Sequence, residues 1–329
     1  MKFGVELLPN RPVEEVVEIG CRQEEIGVDQ LWVADHFNNR NIYCVLTGIA
    51  VETSSVSLGP GVTNPYVVHP GITASAISTV DEVSGGRAML GLGAGDRTTI
   101  NKLGLDWDKP VSRTQEAVYV IRRLVRGERL THDCDFFELD SAKLDISSTE
   151  IPIFVGGQGP KMLEMAGLVG DGVLINASHP KDIEVGMERV LHGRENSDYN
   201  PKGDIEVVAH TCFSVDSDRE KALDAVRPVI AFVAATAPEK VIERHNISLE
   251  ERDRLQDKIR KDRFGEAKKL VTDKMIDAFS ISGTPGECKD RIEELISKGV
   301  DTIVFGSPYG PEIKSSLKHV EPIVQEYKE

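Results

Sequence analysis

At 329 residues the chain is long enough for one large domain or two ordinary ones, and its 40% hydrophobic content supports a substantial core. Its 39 basic against 54 acidic residues leave a formal charge of −15, which argues against nucleic acid or an anionic membrane as a bulk partner. No apolar run approaches the roughly 20 residues that span a bilayer, and no charged and apolar leader precedes the first strand.

Taken in order, eight short apolar runs recur: FGVELL (3–8), QLWVAD (30–35), SLGPGV (57–62), AMLGLGAGD (88–96), IPIFVGG (151–157), DGVLINAS (171–178), EVVAHTCFSV (206–215) and DTIVFGS (301–307). Each reads as a strand buried on both faces. Amphipathic stretches separate them. After Pro12, VEEVVEIGCRQEEIG predicts a helix ending at Gly27. Helices are predicted over 42–54, over 70–84 behind Pro70, over 112–127, from Gly159-Pro160 onward, and over 180–193. Between the fourth and fifth runs, THDCDFFELDSAKLDISS predicts a small excursion hairpin. The segment 217–282 is strongly helical and charged, and too long for one minimal connection, so it reads as a helical insertion before the last strand. It is either a structural insert, a subunit contact or a lid.

Continuous apolar runs joined by helix-length connectors imply parallel strands, since antiparallel pairs would alternate and turn back in tight hairpins. Eight such units predict an α/β fold, a (β/α)8 TIM barrel, read here as a single domain over 1–329. In that architecture chemistry sits where strands end.

Glu6 interrupts the first apolar run. An inward carboxyl there is set apart from bulk water, a place suited to general acid work; the bland reading is an ordinary barrel ion pair. Asp35 ends the second run and Asp96 the fourth, each able to accept a hydrogen bond from a ligand or to cap the following helix. Gly61, Val62, Thr63, Asn64 and Pro65 follow the third run, where small residues admit a flat ligand or simply turn the chain. Gly156, Gly157, Gln158, Gly159, Pro160 and Lys161 lead from the fifth run into a helix, and free amides at such an N-terminus form an anion site. GLGAGD is not a dinucleotide fingerprint, because position 96 is Asp where the third glycine belongs. The five cysteines (Cys21, Cys44, Cys134, Cys212, Cys288) form no CxxC pair and the eight histidines no HExxH spacing, so no metal site and no disulfide framework are expected, and the compartment reads as a reducing cytoplasm.

Three blocks carry a resemblance: KFGVELLPNRPVEEVVEIGCRQEEIGVDQLWVADHF, LGPGVTNPYVVHPGITASAISTVDEVSGGRAMLGLGAGD and IPIFVGGQGPKMLEMAGLVGDGVLINAS. Together they resemble the bacterial-luciferase-like superfamily, and within it the coenzyme F420-dependent methylenetetrahydromethanopterin reductases of methanogenic archaea. The likeness spans essentially the whole chain. It implies an oxidoreductase in which reduced F420, a deazaflavin, gives hydride to 5,10-methylenetetrahydromethanopterin or its tetrahydrosarcinapterin variant, forming the 5-methyl product in methanogenesis. It further implies a non-prolyl cis peptide at Gly61-Val62, a phosphate site at Gly156, Gly157, Gln158 and Gly159, and a ring and ribityl lining from Asp35, Thr63, Asn64, Ala177 and Ser178. Glu6 becomes the candidate acid and Asp96 a second carboxylate toward the pterin. A homodimer or homotetramer through helices 42–54 and 70–84 is implied as well. Two other readings stay open: another F420- or FMN-dependent oxidoreductase of the superfamily, or a non-catalytic flavin-binding barrel.

Overall fold

All eight apolar runs are strands in the computed structural model, which describes residues 1–146, 150–197 and 204–328. In chain order the elements begin β1 (Lys2–Leu7), α1 (Val13–Glu25), β2 (Gln30–Val33), α2 (Ile42–Glu52), β3 (Ser57–Pro60), α3 (Pro70–Ser84), β4 (Leu90–Leu92), α4 (Arg97–Lys102) and α5 (Pro110–Val125). The hairpin β5 (Leu130–Asp133) and β6 (Glu138–Ala142) follows, then β7 (Ile153–Gly157), α6 (Pro160–Val169), β8 (Gly172–Asn176) and α7 (Pro180–Glu195). The remainder is β9 (Glu206–Val215), α8 (Arg219–Thr236), α9 (Glu239–Arg244), α10 (Leu249–Arg260), α11 (Phe264–Leu270), α12 (Asp273–Phe279), β10 (Ser280–Gly283), α13 (Pro285–Ile296), β11 (Thr302–Tyr309) and α14 (Ile313–Glu326). The fold is a (β/α)8 barrel, its eight staves in the order β3-β2-β1-β11-β9-β8-β7-β4.

The chain packs as two compact units. The larger, Lys2–Ile175 with Gly186–Val207, carries β1 to β8. Glu6 pairs with Trp32 across β1 and β2, and Trp32 with Gly59 across β2 and β3. β3 meets β4 only through the bridges Leu58–Ala88 and Thr63–Leu92, after which β4, β7 and β8 continue in parallel. Apolar burial on both faces is what makes these strands cohere: Phe3, Leu31, Trp32, Leu58, Leu90 and Val155 are all fully buried. Trp32 is fully buried, its ring edge-on to Phe154 at 5.2 Å.

Helix starts follow local chemistry. Asn41 Oδ1 accepts from Tyr43 N and Cys44 N at the head of α2, and His69 caps α3, with Pro70 in its first turn. α5 begins at Pro110, two residues before the expected start, because the proline occupies its first turn. The excursion hairpin is present, β5 pairing antiparallel with β6; the last residues of the expected segment, 147–148, lie outside the described residues.

The smaller unit holds Met1, Asn176–Val185 and Val208–Glu329. Here β9 lies between β11 and β10, both parallel to it. The expected insertion 217–282 is helical through α8 to α12, whose apolar faces enclose Ile230, Ile242, Leu255 and Met275. Its last residues depart from the expected helical insertion: Ser280–Gly283 is a strand, pairing Ile281 with Phe213. Four residues with one apolar side chain, Ile281, carry no period that marks a strand in the sequence, and pairing to β9 supplies what local pattern lacks.

Candidate active site

Within the larger unit, most of the candidate residues gather where β2, β3, β4 and β7 end. Asp35 follows β2 and Thr63 follows β3; Thr63 Oγ1 donates to Asp35 Oδ2 at 2.7 Å. Burial pushes the Asp35 carboxyl above its ordinary pKa, against the opposing pull of the Thr63 hydrogen bond and the His36 charge. Tyr43, on the first turn of α2, was not among the residues singled out in the sequence. Its hydroxyl is buried beside Thr63 and Thr73 yet finds no hydrogen-bond partner among the described residues. Burial, and then the Asp35 charge, raise its phenol far above the usual range. An aromatic in a helix that packs on the barrel gives no sequence signal for this.

Between Asp35 and the strand-four glycines runs the segment Gly61–Asn64. The Gly61-Val62 peptide is cis, as the resemblance implies. Gly61 lies against Trp32, and a Cβ placed there would stand 2.7 Å from Trp32 Cβ. Val62 projects into a niche lined by Gly91, Gly93 and Gly156, where added Cβ atoms would come within 3.1, 2.9 and 3.1 Å of its methyls. The glycines of GLGAG thus make room for a side chain, a role distinct from any nucleotide turn. Thr63 is buried, and its amide donates to Gly91 O at 3.0 Å.

Asn64 and Asp96 have local structural work. Asn64 Oδ1 accepts from Tyr66 N and Val67 N, holding the turn after β3. Asp96 is exposed and caps α4, its Oδ2 accepting from Thr99 N at 2.7 Å. Glu6 is half-buried on β1 between buried Val5 and Leu7 and pairs in register with Trp32, which in turn packs against Gly61.

Gly156 and Gly157 close β7, Gln158 follows, and Gly159 is the N-cap of α6 with no side chain capping that helix. A Cβ on Gly159 would meet nothing within 4 Å, so the space before the helix end is open. A ten-residue helix with no side-chain cap, its N-cap glycine facing open space, fits the phosphate of a cofactor tail. Ala177 and Ser178, in the smaller unit, follow β8; both are buried, and Ser178 Oγ accepts from Cys212 N at 3.1 Å.

Among the described residues one group of metal-ligand types comes together, Glu116, His132 and Cys134, within 4.8 Å of one another. It lies on α5 and the excursion hairpin. Glu116 Oε1 there already accepts from Phe137 N at 3.0 Å and stands 3.1 Å from His132 Nε2, which accounts for it as a turn anchor.

The Luciferase-like monooxygenase family profile matches residues 1–302. The 5,10-methylenetetrahydromethanopterin reductase of Archaeoglobus fulgidus is 46% identical over 322 residues, covering 97% of each chain. That of Methanolobus tindarius is 45% identical over 97% of this chain and 98% of its own. The solved structure of the coenzyme F420-dependent tetrahydromethanopterin reductase from Methanopyrus kandleri superposes with a TM-score of 0.93 at 38% identity, covering 100% of this chain and 99% of that one. By profile, by full-length identity and by fold, the chain belongs to the luciferase-like family, among its 5,10-methylenetetrahydromethanopterin reductases.

Proposed function

We propose that this chain carries hydride from reduced coenzyme F420 to 5,10-methylenetetrahydromethanopterin, or to its tetrahydrosarcinapterin counterpart, yielding the 5-methyl pterin of methanogenesis. The observation that carries the site reading is the Val62 niche beside the open, uncapped start of α6: a flat support next to an anion seat. We read residues 1–329 as one functional domain, since the family match runs through both compact units.

When bound, reduced F420 supplies the hydride. Gly156, Gly157, Gln158 and Gly159 hold the phosphate, the helix dipole of α6 adding attraction for negative charge. The Asp35–Thr63 pair offers a carboxyl and a hydroxyl to ring or ribityl groups, with Asn64, Gly61 and Val62 forming the wall behind. Ala177 and Ser178 keep the cofactor role that the resemblance implies. Glu6 is the general acid. Its carboxyl proton passes to the pterin nitrogen that leaves the methylene carbon, the C–N bond electrons going to that nitrogen and leaving an electrophilic iminium carbon to accept hydride. The Glu6 carboxylate is then reprotonated from solvent. Asp96 orients the pterin.

Anaerobic stopped-flow mixing of protein and reduced F420 with the methylene pterin tests this: the oxidised cofactor's visible band grows only when the pterin is present. A band that never grows, or that needs oxygen, overturns the reading.

The same proposal includes a homodimer or homotetramer in the cytoplasm. Val51 on α2 and Ile72 on α3 are 65% and 63% exposed, an apolar pair on adjacent helices. None of the five cysteines joins a disulfide, consistent with a reducing compartment. Ile72→Asp is expected to convert the oligomer to monomer in light scattering with the family's turnover chemistry still measurable.

A further inference from the structure

In the smaller unit, one acid ties the helical insertion to the end of a barrel strand. Asp182, in the first turn of α7, takes both of its side-chain partners from the end of α9. Its Oδ1 accepts from Arg244 Nη1, and its Oδ2 stands 2.7 Å from His245 Nε2. The Asp182 and His245 side chains are only 10% and 4% exposed. A carboxylate so far from water is tolerated where charged or N–H partners replace its hydration. Those partners belong to the insertion.

His245 also reaches the turn that leaves β8. Its ring is edge-on to that of His179 at 4.7 Å, and its other ring neighbour is Phe279, at 5.8 Å. Phe279 ends α12 and belongs to the apolar core enclosed by α8 to α12. His179 directly follows Ala177 and Ser178. Its Nδ1 accepts from Lys181 N at 3.1 Å and its carbonyl from Asp182 N at 3.0 Å, while Ser178 Oγ accepts from Cys212 N on β9. The turn 177–179 is thus gripped by β9, by the head of α7 and, through His245, by the packed core of the insertion. Buried ionic groups of this kind add little net stability; what they supply is one fixed arrangement.

We propose that Asp182 is a positioning residue: with Arg244 and His245 it docks the insertion as a fixed strut on the turn 177–179, holding Ala177 and Ser178 in place for the cofactor. This rests on the reading of those two residues as cofactor-binding. A turn ordered in advance spares the ligand the cost of ordering it.

The test is fluorescence titration with oxidised coenzyme F420, beside the KM for the methylene pterin. Asp182→Ala is expected to weaken F420 binding about tenfold and to leave the pterin KM unchanged. Asp182→Asn keeps an acceptor and recovers most of the affinity. Leu255→Ala opens a cavity elsewhere in the insertion's core, so it lowers the melting temperature while F420 binding stays put. Should Asp182→Ala not fold, Arg244→Met, in which His245 still holds Asp182, carries the same expectation at a few-fold loss. Wild-type affinity in Asp182→Ala overturns the strut. So does a loss in Leu255→Ala as large as that in Asp182→Ala, which would tie affinity to overall stability. A wild type that does not bind F420 sinks the proposed function instead, and Ala177→Val with unchanged binding sinks the cofactor role of the turn; with both of those intact, an unmoved Asp182→Ala sinks the strut alone.

Discussion

Val62 occupies the space that any side chain on Gly93 would need: a Cβ there would stand 2.9 Å from Val62 Cγ2. The contact joins the segment after β3 to the segment after β4, so the wall proposed to back the cofactor ring is set by packing between residues 31 positions apart. Gly93→Ala is expected to destabilise the protein by about 1–3 kcal/mol through overpacking. Val62→Ala in the same chain should recover most of that loss, because the two changes share one contact. Urea unfolding of both singles and the double gives the coupling, and simple additivity would show that the niche is not what constrains position 93.

Gly159 separates stability from binding. Its N-cap position has no side-chain cap and open space for a Cβ. Gly159→Asp supplies a cap and a charge favoured by the helix dipole, for a gain of about 0.5 kcal/mol. The same carboxylate repels a phosphate. A melting temperature that holds or rises, with F420 binding weakened at least about tenfold (about 1.4 kcal/mol), is the expected pair of results in calorimetry.

Glu6→Gln keeps size and hydrogen-bonding capacity but cannot release a proton to the leaving nitrogen. Loss of general acid catalysis is expected to lower turnover by about 100-fold or more. Deazaflavin affinity, measured by fluorescence titration, should stay within a few-fold. Turnover unchanged from the wild type would remove Glu6 from the mechanism.

His179 predicts an acid limit on stability. Its Nδ1 accepts from Lys181 N at 3.1 Å near the start of α7, and its ring meets that of His245 edge-on at 4.7 Å. Burial, then the charges of Arg291 and His245, against the opposing carboxylates of Asp277 and Asp182, lower its pKa from 6.5 to about 4. The folded state thus binds fewer protons than the unfolded one between those values, so this contribution is complete above pH 6.5 and is lost as pH falls toward 4. His179→Asn retains an acceptor without titrating. Its melting temperature should match the wild type at pH 7 to 8 and exceed it by about 2 °C near pH 4.5; parallel curves would show that His179 does not set the acid limb.

Much of the architecture was legible because parallel barrel strands are buried on both faces and so read as unbroken apolar runs; FGVELL and IPIFVGG became β1 and β7 with little adjustment. Helix starts were legible where proline or a capping side chain marks them, as at Pro70 and Pro160. β10 was not, because its pairing to β9 leaves no period in four residues. At Asp96 and Asn64 the residue type alone admits two roles, ligand contact and turn or helix anchoring, and the hydrogen bonds to Thr99 N, Tyr66 N and Val67 N show the second directly.

By itself the sequence determined the eight staves, the helical insertion, and the strand ends where Glu6, Asp35 and the Gly156–Gly159 loop stand, since burial periodicity and backbone chemistry are local properties. Only the tertiary structure decided that Val62 fills the glycine niche, that Thr63 holds Asp35, and that the Tyr43 hydroxyl is shut in beside them. Those are relations between segments tens of residues apart, and close packing leaves no trace of which side chain will claim a given space until the strands are laid side by side.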